Sequence, residues 1–126
     1  MTAVRTRVAS TVLSSRDANA LAAFYQRLLG WDVVDEQQGW VKLRPPGGGQ
    51  ALAFHGDERY RPPVWPTTDQ DPPIMAHLDI AVASLDVGVA WAVGCGATVA
   101  DFQPQDDVRV LLDPEGHPFC LFAGEV

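Results

Sequence analysis

The feature that most constrains this chain is that its pattern occurs twice. Laying RVASTVLSSRDANALAAFYQRLLGW over MAHLDIAVASLDVGVAWAVGCGA sets Ser10 opposite His77, Asp17 opposite Ser84 and Phe24 opposite Trp91. Gly30 meets Gly96 after a slip of one residue. Further on, KLRPPGGGQALAFHG overlays VLLDPEGHPFCLFAG, with Pro46 opposite Pro114, Gly48 opposite Gly116, Phe54 opposite Phe122 and Gly56 opposite Gly124. A repeat of this length marks one structural unit used twice, so a fold assigned to either half must also serve the other.

Each copy reads as a strand, a helix and then three short strands. In the first, residues 6–14 are β-branched and apolar, and Asp17 or Ser15 is placed to cap a helix. Leu21, Phe24, Tyr25 and Leu28 then follow the spacing of one buried helical face, which Gly30 ends. In the second, HLDIAV alternates as a strand and Ser84 is the cap. Val87, Ala90, Trp91 and Gly94 repeat the stripe before Gly96. Both Phe24 and Trp91 are therefore predicted to be core. DVVDE, GWVKLRP and QALAFHG in one copy, and ATVADFQ, VRVLLDP and PFCLFAG in the other, are strands punctuated by Gly and Pro. The prediction is an α+β fold of two βαβββ modules.

Residues 57–73 hold half of the chain's ten prolines. Proline removes the donors a ladder needs and stiffens the path, so this stretch is a semi-rigid connection rather than a helix or central strand. Module one then spans about residues 5–57, the connection 58–73 and module two 74–125, within one domain of 126 residues. The connection is either a plain linker or a lid that places Trp65 over a cavity.

Charge divides the same way. Residues 1–63 carry eight basic and six acidic residues, net +2, whereas residues 64–126 carry Arg109 against ten acids, net −9. A phosphate backbone would be repelled by the second half, and the arginines of the first are scattered, so nucleic-acid binding is disfavoured. The acids serve solubility or line a cavity that favours cations. No apolar run approaches the roughly 20 residues that span a bilayer. The opening MTAVRTRVASTVL lacks a signal peptide's apolar stretch, so a cytoplasmic protein that does not engage membranes is expected. Cys95 and Cys120 form no CxxC pair and are expected to be reduced thiols.

The tandem pattern, the SSRDANALAAFYQRLLGW opening, the HLDIAV strand and the closing DPEGHPFCL resemble the vicinal-oxygen-chelate superfamily of glyoxalases, bleomycin-resistance proteins and extradiol dioxygenases. The resemblance spans essentially the whole chain. AHLD, GHPFCL and the VWP of the connection are similar to its small glyoxalase-like bacterial members. It implies a curved, cup-like mixed sheet with the helices outside, a common dimeric state, and activities that range from isomerases to drug-binding proteins.

In the superfamily's metal-dependent members, ligands come from the first and last strands of each module. The repeat transfers those positions to Ser10, Leu52, His77 and Cys120, of which His77 alone is a usual ligand, so no metal and no cofactor are expected. A thiolate and one imidazole would suit zinc, but a catalytic zinc site usually has three protein ligands. Strand alternation with His77 facing the cup also turns Asp79 and Ala81 inward, leaving Leu78, Ile80 and Val82 to the helices. The same parity brings in Ser10, Val12 and Ser14, and from the last strand Cys120 and Phe122. His77 and Asp79 would then bind a ligand through hydrogen bonds, or act as a general base and its orienting carboxylate.

Other residues carry less. Parity sets His55 opposite Phe54, at the surface or rim; His117 belongs to the DPEGHP turn; Cys95 sits at a helix C-terminus, where the dipole opposes a thiolate. PPGGGQ lacks the Lys-Ser/Thr of a phosphate loop and reads as a hairpin turn.

The function expected is metal-independent binding of a small molecule, with sequestration of a planar or cationic compound as its purpose. The lining would be Ser10, Val12, His77, Asp79, Cys120 and Phe122, with Trp40 and Trp65 at the mouth to stack on planar groups. A glyoxalase-like lyase or isomerase using His77 and Asp79, and a metalloenzyme with unusual ligands, are the alternatives. The partners expected are the ligand and a second copy of the chain.

Overall fold

The computed structural model describes residues 3–126. The chain divides between Glu58 and Arg59 into two compact units, and each repeats the same order of elements.

The first unit comprises β1 (Ser10–Ser15), α1 (Ala18–Leu29), β2 (Asp32–Gln37), β3 (Trp40–Arg44) and β4 (Ala51–Gly56). Its sheet runs β1-β4-β3-β2, with β1 parallel to β4 and the other pairs antiparallel. Asp17 caps α1 by accepting from the Ala20 N–H at 3.0 Å, which satisfies a backbone donor of the first turn. Gly30 ends the helix at φ 70°, in the left-handed region a Cβ disfavours. The predicted stripe buries Leu21, Phe24 and Tyr25 completely. Tyr25 stacks on Phe54 with ring centroids 5.4 Å apart, and Phe24 meets Tyr25 edge-on at 4.8 Å. The helix therefore packs on the sheet face that carries Val41, Leu43, Leu52 and Phe54, which are cross-strand partners of one another.

The second unit holds β5 (Leu78–Val82), α2 (Leu85–Cys95), β6 (Thr98–Val99), β7 (Val108–Leu112) and β8 (Pro118–Ala123), in the order β5-β8-β7-β6 with the same parallel and antiparallel pairs. Ser84 caps α2 toward the Val87 N–H, and Gly96 ends it. Phe119, Leu121 and Leu111 are buried beneath it.

Two sequence expectations need correction. Trp91 is not core: its side of α2 is turned outward and it is 56% exposed, while Gly88, Ala92 and Cys95 are the buried positions. The segment LDVGVAWAVGC is apolar nearly all round, so periodicity could not choose a face, and close approach to the sheet selected the small residues. ATVADFQ is a strand only at Thr98–Val99. Beyond Ala100 the side chain of Gln103 replaces the missing ladder, donating to the Ala100 and Val110 carbonyls and accepting from the Val110 N–H, all at 2.8 Å.

Residues 57–77 contain neither helix nor strand. Past the unit boundary this path is fastened to the second unit. Tyr60 donates to the Glu115 carbonyl at 2.9 Å and lies 3.2 Å from His117 Nε2, while Pro62 packs against Gly116. The DPEGHP turn is held by the buried Asp113 carboxylate, which accepts from the Glu115 and His117 N–H groups at 2.9 and 3.0 Å.

Candidate functional site

The face of the second sheet turned away from α2 is set by the register of β5 and β8. Asp79 stands opposite Cys120 and Ala81 opposite Phe122, while Val110 and Val108 flank them from β7. Directly paired residues share a face, so Asp79, Ala81, Cys120 and Phe122, the second-unit strand residues of the expected inward set, lie on one face here. His77, one residue before β5, brings Nε2 to 3.1 Å from Asp79 Oδ1. An open hollow of about 380 Å³ is lined by His77, Asp79, Gln105, Asp107, Val108 and Phe122. One wall is therefore carboxylate and imidazole, and the other is apolar.

Asp79 is the pivot of this wall. Burial pushes the Cys120 thiol above its ordinary range, and the Asp79 charge and a hydrogen bond to Asp79 raise it further. The thiol is thus held protonated as a donor, the opposite of what a cysteine nucleophile requires. His77 commits Nε2 to the carboxylate, which accepts, so in the neutral ring that nitrogen carries the proton and Nδ1 has the lone pair. The side chains of His77 and Asp79 are 46% and 64% exposed, so both remain open to a ligand.

Sequence reasoning missed Gln105 and Asp107. They lie in the loop before β7, where no strand alternation exists to place them. Trp65 belongs to the second unit but does not line the hollow: its indole donates to the Phe102 carbonyl at 3.2 Å and meets the Phe102 ring edge-on at 5.9 Å.

Ser10, Val12 and Trp40 belong to the first unit. Ser10 pairs with Ala51 and Val12 with Ala53, while Trp40 pairs with His55 and donates its indole N–H to Asp35 at 3.2 Å. This register shifts the repeat by one residue in the last strand. Val12 corresponds to Asp79, so Ala53, not Leu52, is the counterpart of Cys120, and His55, not Phe54, is the counterpart of Phe122. His55 consequently shares a face with Ser14, Trp40, Lys42 and Arg44; of these the sequence reading turned Ser14 inward and set Trp40 at the mouth of the cavity. Leu52 lies on the α1 side, 4% exposed.

That register also tests the fit of the metal the superfamily resemblance implies. At the superfamily's ligand positions in the first unit, neither Leu52 nor its register counterpart Ala53 offers a donor, and Ser10 offers only a hydroxyl. In the second unit, however, donor atoms of His77, Asp79 and Cys120 all lie within 4.8 Å of one another, the one such trio among the described residues. A divalent ion fits these three side chains, with the carboxylate at a position outside the superfamily set.

A model of the glyoxalase-like domain matches residues 10–122. No curated protein matches the chain. Among solved structures, it is similar to a glyoxalase/bleomycin resistance protein/dioxygenase family enzyme from Burkholderia phytofirmans PsJN, at 23% identity and TM-score 0.68 over 92% of this chain and 97% of that one. TnmS3, an antibiotic binding protein from Streptomyces sp. CB03234, aligns over 98% of this chain and all of its own, at 19% identity and TM-score 0.64. A bleomycin resistance determinant encoded on transposon Tn5 aligns over 96% of this chain and all of its own, at 21% identity and TM-score 0.59. At these identities the likeness is one of fold.

Proposed function

The chain belongs to the glyoxalase-like domain family of the vicinal-oxygen-chelate superfamily, and from that premise we propose that it binds a planar or cationic small molecule and sequesters it rather than transforming it. The observation that carries this reading is the make-up of the hollow. Asp79 and Asp107 supply negative charge on one side, and Val108 and Phe122 supply apolar surface on the other. Such a wall favours a cationic group whose flat body is buried against the apolar residues. The carboxylates provide the counter-charge directly, so binding of the organic ligand is metal-independent. The protonated Cys120 thiol argues against covalent catalysis. The antibiotic-binding and bleomycin-resistance neighbours are consistent with this use of the fold.

A titration with proflavine, a planar cation, against acridine carboxylate, its anionic relative, tests the charge preference. Saturable binding of proflavine alone is expected, and equal or reversed preference would overturn the reading.

The contact between His77 Nε2 and Asp79 Oδ1 favours a second reading, in which His77 Nδ1 takes a proton from a bound substrate as in a glyoxalase-like lyase or isomerase. Proton exchange at the carbon next to a ligand carbonyl, followed in deuterated water, separates catalysis from binding. We also propose a homodimer, with the basic first half of one chain steering toward the acidic second half of its partner. A monomer by light scattering at micromolar concentration in moderate salt would reject it. The compartment proposed is the cytoplasm; no helix among the described residues is long and apolar enough to cross a membrane.

A further inference from the structure

We propose that His77, Asp79 and Cys120 form a zinc site contained within the second unit. Their nitrogen, oxygen and sulfur donors lie within 4.8 Å of one another. Zinc binds imidazole nitrogen at about 2.0 Å and thiolate sulfur at about 2.3 Å, which sets tetrahedral ligands about 3.3–3.8 Å apart. The His77 to Asp79 separation of 3.1 Å is already of that order. Asp79 and Cys120 are held opposite each other by the β5–β8 ladder, and β7 braces Cys120 from its other side through Val110. The ladder thus fixes the backbone at two of the three ligands, and His77 lies one residue before it.

The donor set decides which ion. One thiolate, one imidazole and one carboxylate suit a borderline-soft cation, whereas magnesium and calcium take oxygen shells. Three protein ligands are what an open zinc site needs, and the exposure of His77 and Asp79 leaves an entry path and room for a water as fourth ligand. The superfamily positions alone provide two donors in this chain. The third, Asp79, lies outside them and comes from the same unit. On binding, the Cys120 S–H bond breaks with its electron pair left on sulfur, the pair forms the zinc bond, and the proton passes to solvent. No oxidant or reductant is involved.

This inference goes beyond the ligand-binding reading and stands without it. An organic cation and zinc both need the Asp79 carboxylate, so they are alternative occupants of one wall.

The test uses the full chain, reduced and stripped with chelator, titrated with zinc against a chromophoric chelator, and separately with cobalt(II) to read a sulfur-to-cobalt charge-transfer band. One equivalent of zinc and a sulfur band are expected. Cys120→Ser should abolish the band, and His77→Ala and Asp79→Ala should each weaken zinc at least tenfold, with far-UV circular dichroism unchanged. Cys95→Ala, which removes the other thiol, should bind as the parent does. No saturable binding, cobalt without a sulfur band, or binding insensitive to Asp79→Ala would overturn the site. Proflavine binding to the metal-free protein is measured in parallel, so the failure of either proposal is seen apart from the other.

Discussion

Val82 occupies the space in which a side chain on Gly88 would stand. A Cβ built at Gly88 meets both γ-carbons of Val82 at 2.8 Å, closer than real carbon contacts allow. The last residue of β5 thereby fixes how near α2 lies to its sheet. Gly88→Ala should destabilise the protein by about 1–3 kcal/mol through overpacking, although alanine is the better helix former. Chemical denaturation checks this, and a stability equal to or above the parent's would show that α2 can lift without loss.

Phe24 and Trp91 occupy equivalent places in the repeat and unequal places in the fold. Phe24 is wholly buried, whereas Trp91 is 56% exposed. Phe24→Ala should cost about 3–5 kcal/mol by cavity formation, while Trp91→Ala should change stability by less than about 1 kcal/mol. Denaturant midpoints of the two variants measure the difference. A large loss from Trp91→Ala would mean that its remaining buried surface matters more than its exposure suggests.

These two residues also mark how much of the fold was legible. Where polar residues interrupt apolar ones, as along α1, periodicity named the buried face residue by residue. Along α2 the composition is too uniformly apolar for a period to register, and the deciding quantity, distance to the sheet, is tertiary. The candidate site divides in the same manner. Parity within β5 placed Asp79 with Cys120 and Phe122, because alternation is a local property of strands. The first unit's last strand was set one residue out, since matching Phe54 to Phe122 by type concealed that Ala53 and His55 are the true counterparts. Gln105 and Asp107 belong to a loop, which carries no period at all.

Asp113 is buried at 4% exposure and holds two backbone donors of the DPEGHP turn. Asp113→Ala leaves those N–H groups without their acceptor, and about 1–3 kcal/mol of destabilisation follows for each one that stays buried. Asp113→Asn retains an acceptor oxygen and should recover part of the loss. Thermal unfolding of the pair tests this, and identical midpoints for the two variants would assign the effect to something other than the hydrogen bonds.

The thiol of Cys120 should alkylate slowly at neutral pH. Its pKa is raised, first by burial and then by the charge and hydrogen bond of Asp79, each of which favours the protonated form. Thiolate is the reacting species, so the rate with iodoacetamide should climb with pH and reach its midpoint above that of an exposed cysteine. Asp79→Asn removes the charge but not the burial, so the midpoint should move part of the way down and alkylation at mildly alkaline pH should quicken. Mass spectrometry of the peptide containing Cys120 follows the reaction, and a slower Asp79→Asn variant would contradict the assigned cause.

His77 and Asp79 should matter to ligand binding and hardly at all to folding. An exposed side-chain contact such as that between His77 and Asp79 contributes at most about 1 kcal/mol, because water competes for both partners and ordering the side chains costs entropy. His77→Ala and Asp79→Ala should therefore leave the unfolding midpoint of the free protein nearly unchanged. A bound cation, in contrast, loses water on meeting the hollow and depends on Asp79 for its counter-charge. Loss of a charged hydrogen bond there is worth about 1.5–3 kcal/mol, or roughly tenfold or more in affinity. His77→Ala should have the smaller effect, since it removes a donor to Asp79 rather than the charge itself. Thermal shifts of both variants with and without proflavine make the comparison. If proflavine stabilises Asp79→Ala as much as the parent, the carboxylate is not the cation's partner, and the hollow lined by Asp79, Val108 and Phe122 is not where it binds.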